Sequence, residues 1–223
     1  APWGAILDRR LALSADGVAR FDYQGALEDR DALAGYLESL SGAAISNANR
    51  PDQFAFWANL YNALTVQVVL DAWPVDSIRD IDISPGLFSN GPWGKKLIEV
   101  EGVALSLDDV EHRIMRPIWG DPRVHYAVNC ASIGCPDLHG APFEGATLDA
   151  QLSEGARAYA DHDRGLRVVS GGVRVSKIYD WFEEDFDVDG GVLGHISKWR
   201  AEPVPSGTRI VGYDYDWSIN HLG

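Results

Sequence analysis

At 223 residues and 46% hydrophobic, the chain is long enough to bury a core of its own, and its composition is neither that of a disordered chain nor that of a fibrous one. Its 19 Lys and Arg against 33 Asp and Glu give a formal charge of −14, which repels phosphate backbones and anionic lipid surfaces and sets nucleic acid aside as a partner. The longest apolar run, around residues 54–69, is broken by Asn59, Asn62 and Gln67 and falls short of the roughly 20 residues of a spanning helix, so membrane insertion is not expected.

Residues 1–50 read as an N-terminal helical segment. In "GALEDRDALAGYLESL" the side chains of Leu27, Leu33, Tyr36, Leu37 and Leu40 fall near helical spacing, Ser41-Gly42 stops the helix, and the segment is expected to pack on the outside. After Arg50-Pro51, "DQFAFWANLYNALTVQVVLDAW" puts Trp57, Leu60, Tyr61, Leu64 and Val68 on one face and further apolar residues around the rest. That pattern predicts a central helix, ended by Pro74. "SPGLFSNGPWG", residues 84–94, is a turn-rich loop.

"KLIEVEGVALSL" predicts two short strands joined at Glu101-Gly102. Ser106 with Asp109 three residues on resembles a capping box and opens a helix to about Met115, before Pro117. Val124, Tyr126 and Val128 alternate with His125, Ala127 and Asn129, which reads as a strand leading into a loop that holds both cysteines. A helix over 148–159 follows, then the hairpin "LRVVSGGVRVSKI" turning on Gly171-Gly172, two short helices in "DWFEEDF" and "GVLGHISKW", and a closing strand in "TRIVGYDYDWSIN". Strands arriving as hairpins among helices predict an α+β fold, with a long buried central helix packed on a mainly antiparallel sheet.

The blocks "FWANLYNALTV", "SLDDVEHRIMR", "DPRVHYAVNCASIGCPDL", "SKIYDWFEEDF" and "YDYDWSIN", in this order over residues 51–219, resemble the domain-of-unknown-function 547 family of bacteria and plants. Residues 51–223 are read as that domain, with 1–50 outside the firm match. Bacterial members are often exported, which the resemblance implies for this chain. The start at Ala1-Pro2, which looks like a site left by signal-peptide removal, and two closely spaced cysteines agree with a periplasmic expectation. A long helix against an antiparallel sheet is also the plan of papain-like and transglutaminase-like enzymes. Their nucleophilic cysteine opens the central helix, whereas here that helix has none.

Three readings of the cysteine loop stand side by side. Cys130 is a candidate nucleophile, with His112 or His125 as base, Glu111 beside them, and Ser132–Gly134 amides as an oxyanion site. Cys130 and Cys135 are equally a candidate disulfide that shapes a loop, and they are a poor half of a metal site, since no second Cys/His pair follows at zinc spacing. Asp137 or Asn62 is expected to orient the histidine. Asn59 and Asn62, in a helix that should be buried, need partners and form either a structural network or part of a site. In "DFDVDGG", Asp185, Asp187, Asp189 and Gly190 fit half a calcium loop, but Ile196 stands where the closing Glu belongs. No cofactor is expected. The function read from these residues is a cysteine-dependent hydrolase or acyl transferase, with a non-catalytic binding module and a His/Cys metal-binding protein as alternatives. Its ligand would be a small molecule or a peptide. Glu111, His112 and His125 are expected to line one pocket, because three ionisable groups near apolar faces are costly unless they face a cleft or one another.

Overall fold

The computed structural model describes residues 2–86 and 91–223, so the tip of the predicted turn-rich loop lies outside the described residues. The chain begins with α1 (Pro2–Arg10), a hairpin of β1 (Leu11–Leu13) and β2 (Ala19–Phe21), the single turn α2 (Tyr23–Ala26) and α3 (Arg30–Ser41), which stops at Gly42. This segment does not lie on the outside as its sequence suggested. Trp3, Ile6 and Leu7, spaced along one face of α1, are almost fully buried together with Phe21 and Tyr23, in the same core as the central helix.

That helix is α4 (Arg50–Ala72). Asn49 caps it by accepting the Asp52 N–H at 3.0 Å, and Pro51 occupies the first turn, where no backbone donor is needed. Every residue from 54 to 70 except Gln67 is buried. A helix without a polar face must be clothed all round, and α1, α3 and the elements that follow do this. Among the described residues no helix is long and apolar enough to cross a membrane.

The hairpin of β3 (Ile98–Val100) and β4 (Val103–Leu105) forms as predicted, with Glu101 at φ +49° and Gly102 at φ +79°, the two left-handed residues of a tight hairpin turn. Ser106 and Asp109 cap reciprocally: the Ser106 N–H donates to Asp109 Oδ2 at 2.8 Å and the Asp109 N–H to Ser106 Oγ at 3.2 Å. The helix they open is π-helical over Asp109–Met115 and then becomes α5 (Arg116–Trp119), ended by Gly120 at φ +58°. It runs through Pro117 and does not stop before it. The Arg116 N–H already bonds back five residues to Glu111, so Pro117 opens a fresh α-helical turn in which its missing N–H leaves no gap.

Residues 124–128 are not a strand. They form the helical turn α6 (Val124–Ala127), opened by Asp121, whose carboxylate accepts the Arg123 N–H at 2.9 Å, and by Pro122. The alternation that suggested a strand arises because the turn is buried on all sides: Val124 and Ala127 enter the main core and Tyr126 a second one. Beyond it come α7 (Leu148–Asp161), β5 (Leu166–Val169), β6 (Gly172–Ser176), α8 (Ile178–Trp181), a 3-10 segment (Glu183–Asp189), α9 (Val192–Trp199) and β7 (Ile210–Asp214). β5 and β6 are antiparallel, and β7 adds parallel to β6.

The fold is α+β, with small, mainly antiparallel sheets. The largest sheet belongs to the second core, where Leu166, Val173 and Val175 meet α7 and α9, and no residue of α4 enters that core. The central helix shares its core with the two small antiparallel hairpins, through Phe21, Val100 and Leu105, while the largest sheet lies in an adjoining core covered by other helices. What binds α4 to the α6 segment is the Asn62 amide, which donates to the Ala127 carbonyl at 2.8 Å and accepts the Asn129 N–H at 2.8 Å.

Asn62→Ala should therefore destabilise the protein by about 2–4 kcal/mol in urea unfolding, since it leaves a buried carbonyl and a buried N–H unpaired. Thr65, one turn further on, buries a hydroxyl that has no partner among the described residues. Thr65→Val, which keeps the shape and removes that hydroxyl, should be neutral or stabilising by up to about 1 kcal/mol.

Candidate functional site

A cleft of about 180 Å³ opens where the two cores meet. Glu111, His112, His125, Cys130 and Cys135 all line it. The π-helical turn supplies the first two, α6 the third, and the loop after α6 the cysteines.

The cysteine loop is held by amide side chains. Asn129 Oδ1 accepts the Ala131 N–H at 2.9 Å while its Nδ2 donates to the Pro136 carbonyl at 2.8 Å. Ala131 sits at φ +60°, a left-handed conformation that costs energy for a residue with a side chain, and it directly follows Cys130. Cys130 and Cys135 are free thiols, not the expected disulfide. The Cys130 N–H points at Cys135 Sγ at 3.1 Å, and Cys130 Sγ lies 3.0 Å from both Ser132 Oγ and Tyr215 Oη.

Cys130 is shifted below the ordinary thiol range: the Cys135 S–H donates to it, burial opposes the shift, and the Ser132 and Tyr215 hydroxyls and the Ser132 N–H add to it. Cys135 is pushed well above that range by burial and by donating to its neighbour. Of the two thiols, Cys130 is therefore the one that ionises first. The expected oxyanion site is not free as drawn, because the Ile133 and Gly134 N–H groups already donate to the carbonyls of Ser218 and Asp216 at 2.8 Å each.

His125 is buried, with its ring stacked on Phe182 at 4.3 Å between centroids and an interplanar angle of 17°. Its Nε2 lies 2.7 Å from Asp185 Oδ2, and Arg116 grips the same carboxylate through Nε at 2.6 Å and Nη2 at 3.1 Å. Burial would raise the Asp185 pKa, but the His125 and Arg116 hydrogen bonds outweigh it and hold the carboxyl well below its ordinary range. An ionised carboxylate only accepts, so Nε2 carries the hydrogen and Nδ1 faces the cleft, 3.8 Å from Glu111 Oε1.

His112 stands at the rim with its side chain 35% exposed, its Nδ1 4.0 Å from the same Glu111 oxygen and 3.3 Å from Arg116 Nη1. One oxygen therefore lies within 4.0 Å of both imidazoles, a geometry that α-helical spacing did not suggest.

The orienting carboxylate is Asp185, not Asp137 or Asn62. Asp137 instead accepts from Arg164 Nη2 and the Ala19 N–H, both at 3.0 Å, and Asn59 bonds both backbone groups of Phe143 at 2.9 Å. The half calcium loop does not converge. Asp185 turns to His125 and Arg116, Asp189 to His195 and Lys198 at 2.7 Å each, and Asp187 lies exposed. Among the described residues no group of three or more His, Cys, Asp or Glu could hold a metal ion. Sequence reasoning missed Asp185 in this role, and it missed Tyr215 and the aromatic wall of Trp93, Trp181, Phe182 and Trp217. Five of those six residues, all but Trp93, lie in the "SKIYDWFEEDF" and "YDYDWSIN" blocks that carried the family resemblance.

The Asp185 shift fixes a pH dependence. A carboxyl with a lowered folded pKa contributes stability that is complete above its unfolded value, about 3.9, and is lost as pH falls towards the folded value. The melting temperature of Asp185→Asn should thus lie furthest below wild type at about pH 6–7, and the gap should close progressively below about pH 4. A gap that stays constant across that range would show that the carboxylate is not held ionised by its partners.

Compared with curated proteins and with solved structures, the chain finds no match. A family model described as a protein of unknown function, DUF547, matches residues 45–160, just over half of the chain. That stretch contains the central helix, the π-helical turn and the cysteine loop, and on it the chain belongs to the DUF547 family.

Proposed function

We propose that the protein is a thiol-dependent acyl transferase or hydrolase acting on a small molecule or a peptide. The observation that carries this reading is the placement of Cys130 Sγ, 3.0 Å from two hydroxyls, on the wall of a cleft that also holds His125 oriented by Asp185. A buried thiolate supplied with hydrogen-bond donors is a nucleophile at neutral pH without a base to deprotonate it.

In this reading the Cys130 thiolate adds to the acyl carbonyl, and the charge passes from sulfur to oxygen. The Tyr215 and Ser132 hydroxyls, each 3.0 Å from the sulfur and 2.9 Å from one another, can follow that charge, a role the Ile133 and Gly134 amides cannot take. His125, held through Nε2, presents Nδ1 to the cleft. Protonated, it gives a proton to the leaving group; neutral, it takes one from the water or acceptor that releases the acyl group from sulfur. Export to the periplasm goes with this reading on the family resemblance alone.

A binding module is the second reading, favoured by one observation: at rest, His125 is bonded to Asp185, and no hydrogen bond joins it to Cys130 among the described residues. The two readings separate on an acyl adduct. After brief incubation with a small activated thioester and an acid quench, intact mass should show one acyl group on wild type and on Cys135→Ser, and none on Cys130→Ser. His125→Asn should slow turnover of the adduct by about 10²–10⁴-fold. Iodoacetamide should label Cys130 first, with a rate that levels off below the pH of about 8.5 typical of a free thiol. A wild type that forms no adduct, and whose Cys130 alkylates no faster than a free thiol, leaves the binding module.

A further inference from the structure

Three carboxylates among the described residues are less than a tenth exposed: Asp29 at 8%, Asp109 at 6% and Glu111 at 8%. Two are matched by cations in the manner that burial demands. Asp29 pairs with Arg9 and Arg10, each at 2.6 Å, and Asp109 with Lys96 and with Arg113 at 3.2 Å. Glu111 is the exception. Among the described residues it makes no ion pair with Lys or Arg, its neighbours being the Tyr61 hydroxyl and the two imidazoles at 3.8 and 4.0 Å. The nearer imidazole already serves Asp185, and so does Arg116. Glu111 also lines the cleft, whereas the other two carboxylates do not.

The rest of the cleft wall is suited to the same missing partner. Trp181 and Trp217 lie 5.5 Å apart between centroids, Trp93 and Trp217 5.9 Å, and all three rings line the cleft with Phe182. Aromatic faces attract cations, and three of these rings already carry one: Arg79 lies 5.2 Å over Trp217, Lys177 6.0 Å over Trp181 and Arg116 4.7 Å over Phe182. None of these cations lines the cleft, and neither does any other Lys or Arg among the described residues.

We propose that the cleft binds a small ammonium cation, with the tryptophan rings supplying its faces and the Glu111 carboxylate its counter-charge. At about 180 Å³ the space fits a cationic head group and not a peptide segment. This deepens the acyl-transfer reading by naming the charge that one of its reactants carries. It rests on the cleft and not on thiol chemistry.

The test is equilibrium binding without turnover, so its outcome is independent of whether Cys130 forms an adduct. Choline is titrated into the full chain and followed by tryptophan fluorescence, in parallel with its neutral isostere, in which carbon replaces the quaternary nitrogen. Choline should saturate the signal and raise the melting temperature, and the isostere should bind about ten-fold more weakly or worse. Glu111→Gln should weaken choline by about ten-fold and leave the isostere unaffected. Trp181 is 41% exposed, so Trp181→Leu spares folding and should weaken choline about three-fold. If Glu111→Gln fails to fold, the isostere ratio and Trp181→Leu decide. Equal affinity for choline and its isostere, undiminished choline affinity in a folded Glu111→Gln, or no saturable choline binding overturns the proposal.

Discussion

The amide of Asn62 is the contact on which the rest of the site depends. A fully buried helix offers its neighbours only side chains, because its backbone groups are spent within the helix. Asn62 overcomes this by presenting a carbonyl and an N–H in the spacing of a peptide group, and the chain at Ala127 and Asn129 pairs with it as it would with a strand. Asn59 repeats the device at Phe143, and Asn129 turns it inward to brace its own loop. In a low dielectric each such pairing is expensive to break, so His125 before the junction and Cys130 after it are fixed relative to one long rigid element.

Charge in the cleft is distributed by the same logic of full pairing. The Asp185 carboxylate is shared between a guanidinium and an imidazole, the two thiols differ so that Cys130 ionises before Cys135, and Glu111 lines the cleft without a Lys or Arg partner among the described residues. Behind the cleft a second buried histidine shows the contrast. His195 runs from Asp189 at 2.7 Å to the Tyr126 hydroxyl at 2.9 Å, burial lowers its pKa, and it is not among the cleft's residues. That relay fastens α9 to α6 and lies outside the cleft.

Much of this was legible in the sequence, for local reasons. The Glu101-Gly102 turn, the Ser106 and Asp109 cap and the all-round apolar helix each depend on residues within a few positions of one another, and all three form as read. The convergence of Glu111, His112 and His125 followed from the cost of burying them apart. The α6 turn was misread because burial on every side hides helical periodicity, although Asp121-Pro122 is itself a helix-start signal. Asp185 was misread because alternating carboxylates suggest one metal, while their actual partners, Arg116, His125 and His195, come from distant segments. The π-helical turn is invisible in any single spacing and is what brings Glu111 within reach of both histidines.

The closing stretch of the chain stitches the molecule together. β7 joins the sheet of the second core, Ile219 bridges to Ser132, and the Asn220 side chain meets Tyr23 at 2.8 Å in the N-terminal segment. Tyr215, whose hydroxyl meets the Cys130 sulfur, and Trp217 sit on the same stretch and complete the cleft. A ribosome delivers the chain from its N-terminus, so Cys130 and Cys135 are made some eighty residues before the Tyr215 hydroxyl that meets the Cys130 sulfur. The surroundings that set the Cys130 thiol apart from its neighbour are therefore complete only when the closing stretch of the chain docks.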